Sequence, residues 1–450
     1  MSLYLVRTAG RPLPAVGGKR DGTMRPGPRN PLSADNRSAI SVTFQGPEVE
    51  LDRLRHPSEA LATVLANTSL LPPEPVSLLD AAGRVLASDF VASADFPPFP
   101  ASTMDGYAVI ADDGSPWRDV VGVQAAGQVI DAEVTPGTAI KIMTGAPLPK
   151  GADAVVKVED TETADDHVII HQEFVEPGEN VRQIGADVKT GQLLVHAGSV
   201  LGPAEIGLLA AYGGDPVTVR RRPRVSIVST GDELLEPSEP LTPGKIRDSN
   251  RYMLRAALES AGADVIWAGK GPDVRDQLEP LLVKLIADSD IVITSGGVSM
   301  GDLDLIKPIL LDLATVHFRR LFLKPGKPLN FATAGPTLIF GLPGNPVSAL
   351  VGFELFIRSA IRKMTDSGAG PETVRVTLAV DTEPTDRVEY QRAILSVDAS
   401  GRLLATSNGS QGSSRLASFL GANALIVVPP RETVYLAGEM VDAILIGPLT

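Results

Sequence analysis

The stretch Ile293–Asp304, ITSGGVSMGDLD, places two adjacent glycines, two serines and two aspartates directly after an apolar run. Bare glycine backbone lets N–H groups point at an anion, and a helix expected from near Leu303 would add its positive N-terminal end. Asp302 and Asp304 would repel a bare phosphate. A divalent cation between carboxylates and ligand resolves that conflict, most simply Mg2+ with its preference for oxygen. The plainer alternative is that Asp302 only caps the helix.

Three further loops carry similar chemistry. VSTGDELLEPSEPLTPGKIRDSN ends a strand with Thr-Gly before Asp232 and Glu233. Adjacent carboxylates there suit a metal ligand or an acid/base pair. Asp248 and Asn250 further on read as caps of the helix at Arg251, Asn250 above all. LKPGKPLNF holds Lys324 and Lys327 between prolines, which stiffen the segment and reduce the entropy lost when two ammonium groups converge on one oxyanion. GLPGNPVSALVGFELF starts a helix with Pro346 at its first position, leaving the N–H groups of Val347 and Ser348 free for an anion. Taken alone, that last segment is simply a well-made helix start. Asp105, Thr144 and Asp187 with Lys189 sit in turns that turn chemistry alone explains. No GxxxxGK[ST], GxGxxG or HExxH pattern is present, which counts against a P-loop hydrolase and a dinucleotide oxidoreductase.

The elements that must position these loops follow from periodicity. RVSIVST, ADVIWAG, DIVITSGG and TLIFGLPG are short buried-strand runs separated by helical stretches from 249, 272 and 346 onward, the alternation of a parallel sheet covered on both faces. In such sheets ligands sit outside the carboxyl ends of the strands, where the loops fall. Upstream, HPSEALATVLANTSLL has helical spacing with Ser58 as N-cap, SLLDAAGRVLASDFVA follows, and GPAEIGLLAAYGG makes another short helix. Between them VVGVQAAGQ, TAIKIMTG, DAVVKVED and HVIIHQEF read as strands of an inserted β domain. After Pro371, TVRVTLAV, RAILSV, NALIVVPP and MVDAILI predict a small barrel or sandwich. Residues 1–45, rich in Pro, Gly and Arg without periodicity, read as a flexible tail.

A chain of 450 residues predicts about three or four domains. The net charge of −13 and the lack of a basic stripe disfavour nucleic acid, so an anionic ligand must be met locally. With no cysteine, disulfides, thiolate nucleophiles and Cys-ligated zinc are excluded, which fits a cytoplasmic chain. His167 and His171, the one close histidine pair, read as strand-end residues rather than zinc ligands. No apolar run reaches the ~18–20 residues of a membrane span, and the N-terminus lacks a signal-peptide pattern, so the chain is expected to be soluble and unexported.

Taken in order, MDGYAV, MTGAPLPKGADAVV, STGDEL, TSGGVSMGDLD, LKPGKP and GLPGNPVSA resemble the molybdopterin molybdenumtransferases, the MoeA family that includes the gephyrin E domain. The match runs from about Pro57 to the C-terminus. A minor departure is Pro100-Ala101 ahead of Ser102. The resemblance implies insertion of molybdate into adenylylated molybdopterin with release of AMP, assisted by Mg2+. A non-catalytic pterin-binding scaffold of gephyrin type and a molybdopterin adenylyltransferase are the alternatives.

The resemblance also implies a fold and a set of site residues. The fold is multidomain α/β plus β: an elongated helical dimerisation domain (46–96 and 186–222), an inserted β domain (97–185), a three-layer α/β pterin-binding domain with a parallel-type sheet (223–370) and a C-terminal β-barrel-like domain (371–450). Glu233 and Asp304 become the central carboxylates and the Mg2+ ligands, with Asp273 a weaker match. Substrate contacts fall on Ser295, Gly296, Gly297, Ser299, Gly301 and Asp302. Lys324 and Lys327 would hold phosphate or molybdate, and Pro343, Gly344, Asn345, Pro346 and Ser348 would shape the pocket. Asp105, Thr144 and Asp187 would face it from the partner subunit of a homodimer. Implied partners are molybdopterin adenylyltransferase upstream and molybdoenzymes or their chaperones downstream, with no nucleic acid and no membrane. The pterin brings its own dithiolene sulfurs, which agrees with a chain that has no cysteine.

Overall fold

The computed structural model describes residues 51–296 and 305–449. The tail assigned to 1–45 and the site residues Gly297, Ser299, Gly301, Asp302 and Asp304 lie outside the described residues.

A six-stranded sheet occupies the middle of the chain, in the order Asp264–Lys270, Arg224–Ser229, Ile291–Ser295, Thr337–Leu342, Pro328–Ala334, Thr315–Arg320. The first four strands are parallel, whereas Pro328–Ala334 runs antiparallel to both neighbours. The expected parallel-type sheet is therefore corrected to a mixed one. Only two residues, Gly335 and Pro336, link Pro328–Ala334 to Thr337–Leu342, and a link that short can join only antiparallel strands.

Both sheet faces are covered, as period-two side-chain alternation requires. Ile291, Ile293, Leu338 and Phe340 pack with Leu254 and Leu258 of helix Asn250–Ser260 and with the long helical run from Pro346 to Met364. Val292 and Ile339 pack on the opposite face against Leu278, Leu282 and Leu285 of helix Arg275–Asp288 and Ile309 and Leu310 of helix Ile306–Leu313. The run from Pro346 passes through one π turn at Phe353–Ile357. Helix Ile306–Leu313 begins three residues later than the start expected near Leu303.

Helix Pro57–Ala66 is capped by His56, not Ser58: Pro57 takes the first helical position, and His56 Nδ1 accepts from the Ser58 N–H at 3.3 Å. Its buried Ala60 and Val64 join the α/β core. The remaining flanking segments hold more strand than helix. Pro73–Val76 pairs with Val217–Arg220 and Phe90–Val91 with Leu193–Val195, around helix Pro203–Ala211. Within Ser77–Ala92 a 3-10 turn at Leu78–Asp80 and β-bridges at Val85 and Leu86 precede the Phe90–Val91 strand.

Between these segments lies a second six-stranded sheet, ordered Ala154–Lys157, Gly106–Val109, Thr138–Ile142, Trp117–Gln124, His167–Ile170, Thr161–Ala164. At the C-terminal end, Val388–Val397, Leu403–Ser407, Thr373–Leu378, Met440–Leu445 and Ala424–Val428 close into a five-stranded barrel, because the last strand pairs back with the first. Leu323–Lys324 adds to this barrel alongside Val388–Glu389.

Phe331 is fully buried between Phe318 and Phe340, with ring centroids 5.6 and 5.0 Å away. Phe331→Ala is expected to destabilise the α/β unit by ~3–5 kcal/mol, read as a lower midpoint of chemical unfolding.

Candidate active site

The carboxyl ends of the four parallel strands meet at one cleft of about 590 Å3. Asp273 comes from the turn after Asp264–Lys270, and Thr230, Gly231 and Glu233 from the turn after Arg224–Ser229. Ser295 and Gly296 end Ile291–Ser295, and Pro343, Gly344 and Asn345 follow Thr337–Leu342. Hydrogen bonds carry the sheet one residue past its ends: Gly271 N–H to Ser229 at 2.8 Å, Thr230 N–H to Ser295 at 3.0 Å and Gly296 N–H to Leu342 at 3.2 Å, each to a backbone carbonyl. This is the ligand position of open α/β sheets.

Two glycines make the approach of these ends possible. Gly296 has φ +90°, and a β-carbon there would lie 2.6 Å from the Thr230 carbonyl oxygen. Gly231 has φ +137°, and a β-carbon there would lie 2.5 Å from the Glu233 carboxylate, which folds back over the glycine. No L side chain fits either place without moving the backbone or the carboxylate.

The polar groups of the cleft are incompletely used. Thr230 Oγ1 and Asn250 Oδ1 are buried without a hydrogen-bond partner among the described residues, as are Ser229 Oγ and Thr294 Oγ1 on the strands behind them. Buried polar atoms are nearly always paired, so a set of orphans at one set of strand ends marks a place where a ligand or ordered water completes the bonding. Partial burial, then the hydrogen bond and charge of Asp232, push the Asp273 carboxyl above the usual carboxylate range. Glu233 is exposed beside this acidic pair. Asp232, Glu233 and Asp273 are hard oxygen donors and fit Mg2+, which is usually held by one or two carboxylates together with water and phosphate. Among the described residues no three acidic or imidazole groups form a ready-made metal cage.

Other expected site residues lie elsewhere. Lys324 does not stand free for an anion: its Nζ is 3.3 Å from Glu389 Oε1, whose side chain is buried in the C-terminal barrel. Lys327 precedes Pro328, which lines the cleft, and has no ion pair among the described residues. Pro346 opens its helix as expected, while Ser348 is buried beneath it and packs near Gly326. Asn345 leaves that helix without a side-chain cap and donates instead to Ser413 Oγ at 3.4 Å. In the inserted sheet region, Asp105 accepts from the Thr144 N–H at 2.7 Å and the Thr144 hydroxyl at 2.8 Å, and these bonds hold its carboxyl below the usual range. Asp187 is bound in a two-point pair by Arg182. None of these three lines the cleft of its own chain.

Sequence reasoning missed two residues. Asn250 was expected to cap a helix, but it is the first helical residue, and Asp248 does the capping by accepting from the Arg251 N–H at 3.1 Å. Asn250 lines the cleft instead. Arg392 is fully buried: its Nε donates to Ser418 Oγ at 3.0 Å and its Nη2 to the carbonyls of Ser410 and Gly412, while Nη1 has no partner among the described residues. It holds the segment that carries Ser413 next to Asn345. A lone arginine within a strand gives no motif signal.

A mixed α/β sheet with its cleft at the strand ends, joined to a β insertion and a five-stranded barrel, defines a multidomain ligand-binding α/β protein. Family models match it in three consecutive blocks: the MoeA N-terminal region (domains I and II) over residues 55–213, a probable molybdopterin binding domain over 226–363, and the MoeA C-terminal region (domain IV) over 375–446. The chain is 35% identical over 373 residues to a molybdopterin molybdenumtransferase of Haemophilus influenzae, covering 82% of this chain and 92% of that protein. It is 36% identical over 428 residues to a gephyrin of Dictyostelium discoideum, covering 84% of this chain but spanning 60% of the gephyrin's length. The crystal structure of a molybdopterin biosynthesis MoeA protein from Pyrococcus horikoshii OT3 matches with a TM-score of 0.72 at 31% identity, covering 87% of this chain and 100% of that one. The chain belongs to the MoeA-type family of molybdopterin molybdenumtransferases.

Gly296→Ala is expected to cost roughly 1–3 kcal/mol through its positive φ and the clash with Thr230, seen as a lower unfolding midpoint. The Asp273 carboxyl has a raised folded-state pKa, so the stability it contributes is fully present below the ordinary carboxylate pKa and is lost as pH rises through the raised value. Asp273→Asn should therefore gain stability relative to the parent chain between acid and neutral pH, measured as the difference in unfolding midpoints across that range.

Proposed function

We propose that this chain acts in molybdenum cofactor biosynthesis by inserting molybdate into adenylylated molybdopterin, with release of AMP. Relatives named molybdopterin molybdenumtransferase match it at 35–38% identity. The single observation that carries the reading is the cleft itself, where four strand ends bring glycine backbone, orphaned hydroxyls and carboxylates to one point.

The roles follow from the chemistry of each group. The Gly231 and Gly296 turns and the Ser295 hydroxyl receive the oxyanions of the phosphoanhydride, close to where molybdate must lie, so two anionic reactants are held together without a diffusional encounter. Asp273, which keeps its proton more readily than an ordinary carboxyl, serves as acid toward a leaving oxygen. Glu233 would hold Mg2+, with Asp304 completing the set. That ion, when bound, offsets the repulsion between neighbouring oxyanions. Lys327 borders the anion position, and Lys324 reaches it on release from Glu389.

The domain division runs as 46–96 with 186–222, 97–185, 223–370 and 371–450. In a homodimer, Asp105, Thr144 and Asp187 of a second copy close the cleft from outside. The substrate comes from a molybdopterin adenylyltransferase, and the product passes to molybdoenzymes or their chaperones in the cytoplasm. Among the described residues no helix is long and apolar enough to cross a membrane.

The test supplies purified protein with adenylylated molybdopterin, molybdate and Mg2+ and follows AMP. Release by the parent chain, reduced on the order of 100-fold or more in Glu233→Ala with the unfolding midpoint retained, is the expected result. No AMP from the parent chain, or full release by the variant, would count against the assignment.

A further inference from the structure

Asn250 is 6% exposed and lines the cleft. Its Nδ2 donates to Ser295 Oγ at 2.9 Å and to the Gly344 carbonyl oxygen at 2.9 Å. A backbone carbonyl can only accept, so the terminal atom facing Gly344 is the nitrogen and the orientation of the amide is determined. The other terminal atom, Oδ1, is then an acceptor. It is buried and has no partner among the described residues.

Two opposite polarities follow from this one side chain. Ser295 Oγ receives the amide proton, which leaves the serine's own proton free to donate toward an oxyanion. Asn250 Oδ1 repels phosphate, carboxylate and molybdate oxygens, and it needs an N–H or O–H donor. A buried acceptor left without one is costly, so a ligand that supplies the donor is favoured over one that presents a second acceptor.

We propose that Asn250 is a specificity-determining residue: its Oδ1 accepts from an exocyclic amino group of the substrate's nitrogen heterocycle, while its Nδ2 sets the Ser295 hydroxyl as donor for the neighbouring oxyanion. The inference rests on the reading that the cleft holds adenylylated molybdopterin. That molecule has two such rings, pterin and adenine, each with an exocyclic amino group.

Calorimetric titration with two matched pairs tests it. AMP is compared with IMP, in which the adenine amino group is replaced by oxygen, and pterin is compared with lumazine, in which the 2-amino group is replaced in the same way. In one pair the parent chain should bind the amino-bearing ring at least about tenfold more tightly. Asn250→Ala should lose that preference, with affinity for the amino-bearing ring falling by more than affinity for the oxo counterpart. The pair that shows the preference identifies the ring. Equal binding within both pairs by the parent chain overturns the proposal and needs no variant to fold. A parallel loss of both members in Asn250→Ala also overturns it, because that pattern belongs to a structural role. AMP release by the parent chain is read independently: release without ring discrimination removes the Asn250 role alone, and discrimination without release removes the transferase reading alone.

Discussion

The ends of strands Arg224–Ser229 and Ile291–Ser295 lie so close that a β-carbon on Gly296 would come within 2.6 Å of the Thr230 carbonyl oxygen. The cleft depends on that approach. It lets Thr230 and Gly296 continue the strand hydrogen bonding through Ser295 and Leu342, so three loops leave the sheet in fixed directions. Asn250 then reaches both Ser295 and Gly344 from a helix packed on one sheet face, tying the loops after the adjacent strands Ile291–Ser295 and Thr337–Leu342 together. Relaxing the strand ends by even one side chain would separate groups that have to act on one ligand.

An acidic chain proposed to bind anions poses an electrostatic problem, and two of its cations near the barrel are already engaged. Lys324 is engaged by Glu389, and Arg392 is spent largely on Ser410, Gly412 and Ser418. What remains at the cleft is glycine backbone, hydroxyls, the Arg247 guanidinium and carboxyl groups, among them Asp273, which partial burial and Asp232 hold above the usual carboxylate range. Such a surface is neutral enough to admit an oxyanion and rich enough in oxygen to take a divalent cation with it. The positive charge held by the barrel stands one layer back, where Leu323–Lys324 joins Val388–Glu389.

Much of the architecture was legible because it rests on local rules. Apolar runs ending in glycine marked all four parallel strands, and helical spacing marked Asn250–Ser260 and the run from Pro346. Thr315–Arg320, Pro328–Ala334 and Leu403–Ser407 were not picked out as strands. The first two carry arginine, lysine-flanked proline or small residues in place of a clean apolar run, and they are strands because neighbours supply their hydrogen bonds. The same limit governed the caps. Ser58 and Asn250 have the right side chains for an N-cap, yet His56 and Asp248 hold the positions from which a side chain reaches a free N–H.

The amino-acid order by itself determined most element types, the glycine turns and the carboxylates beside them, because periodicity, positive φ and charge are properties of a residue and its near neighbours. Tertiary structure alone decided which of those loops share a cleft, that Lys324 answers Glu389, that Asp232 helps raise Asp273 and that Asn250 faces the cleft. Each of those depends on a partner 35 or more positions away, as with Asn250 and Ser295 at a separation of 45, and only the sheet's strand order brings such partners within hydrogen-bonding reach.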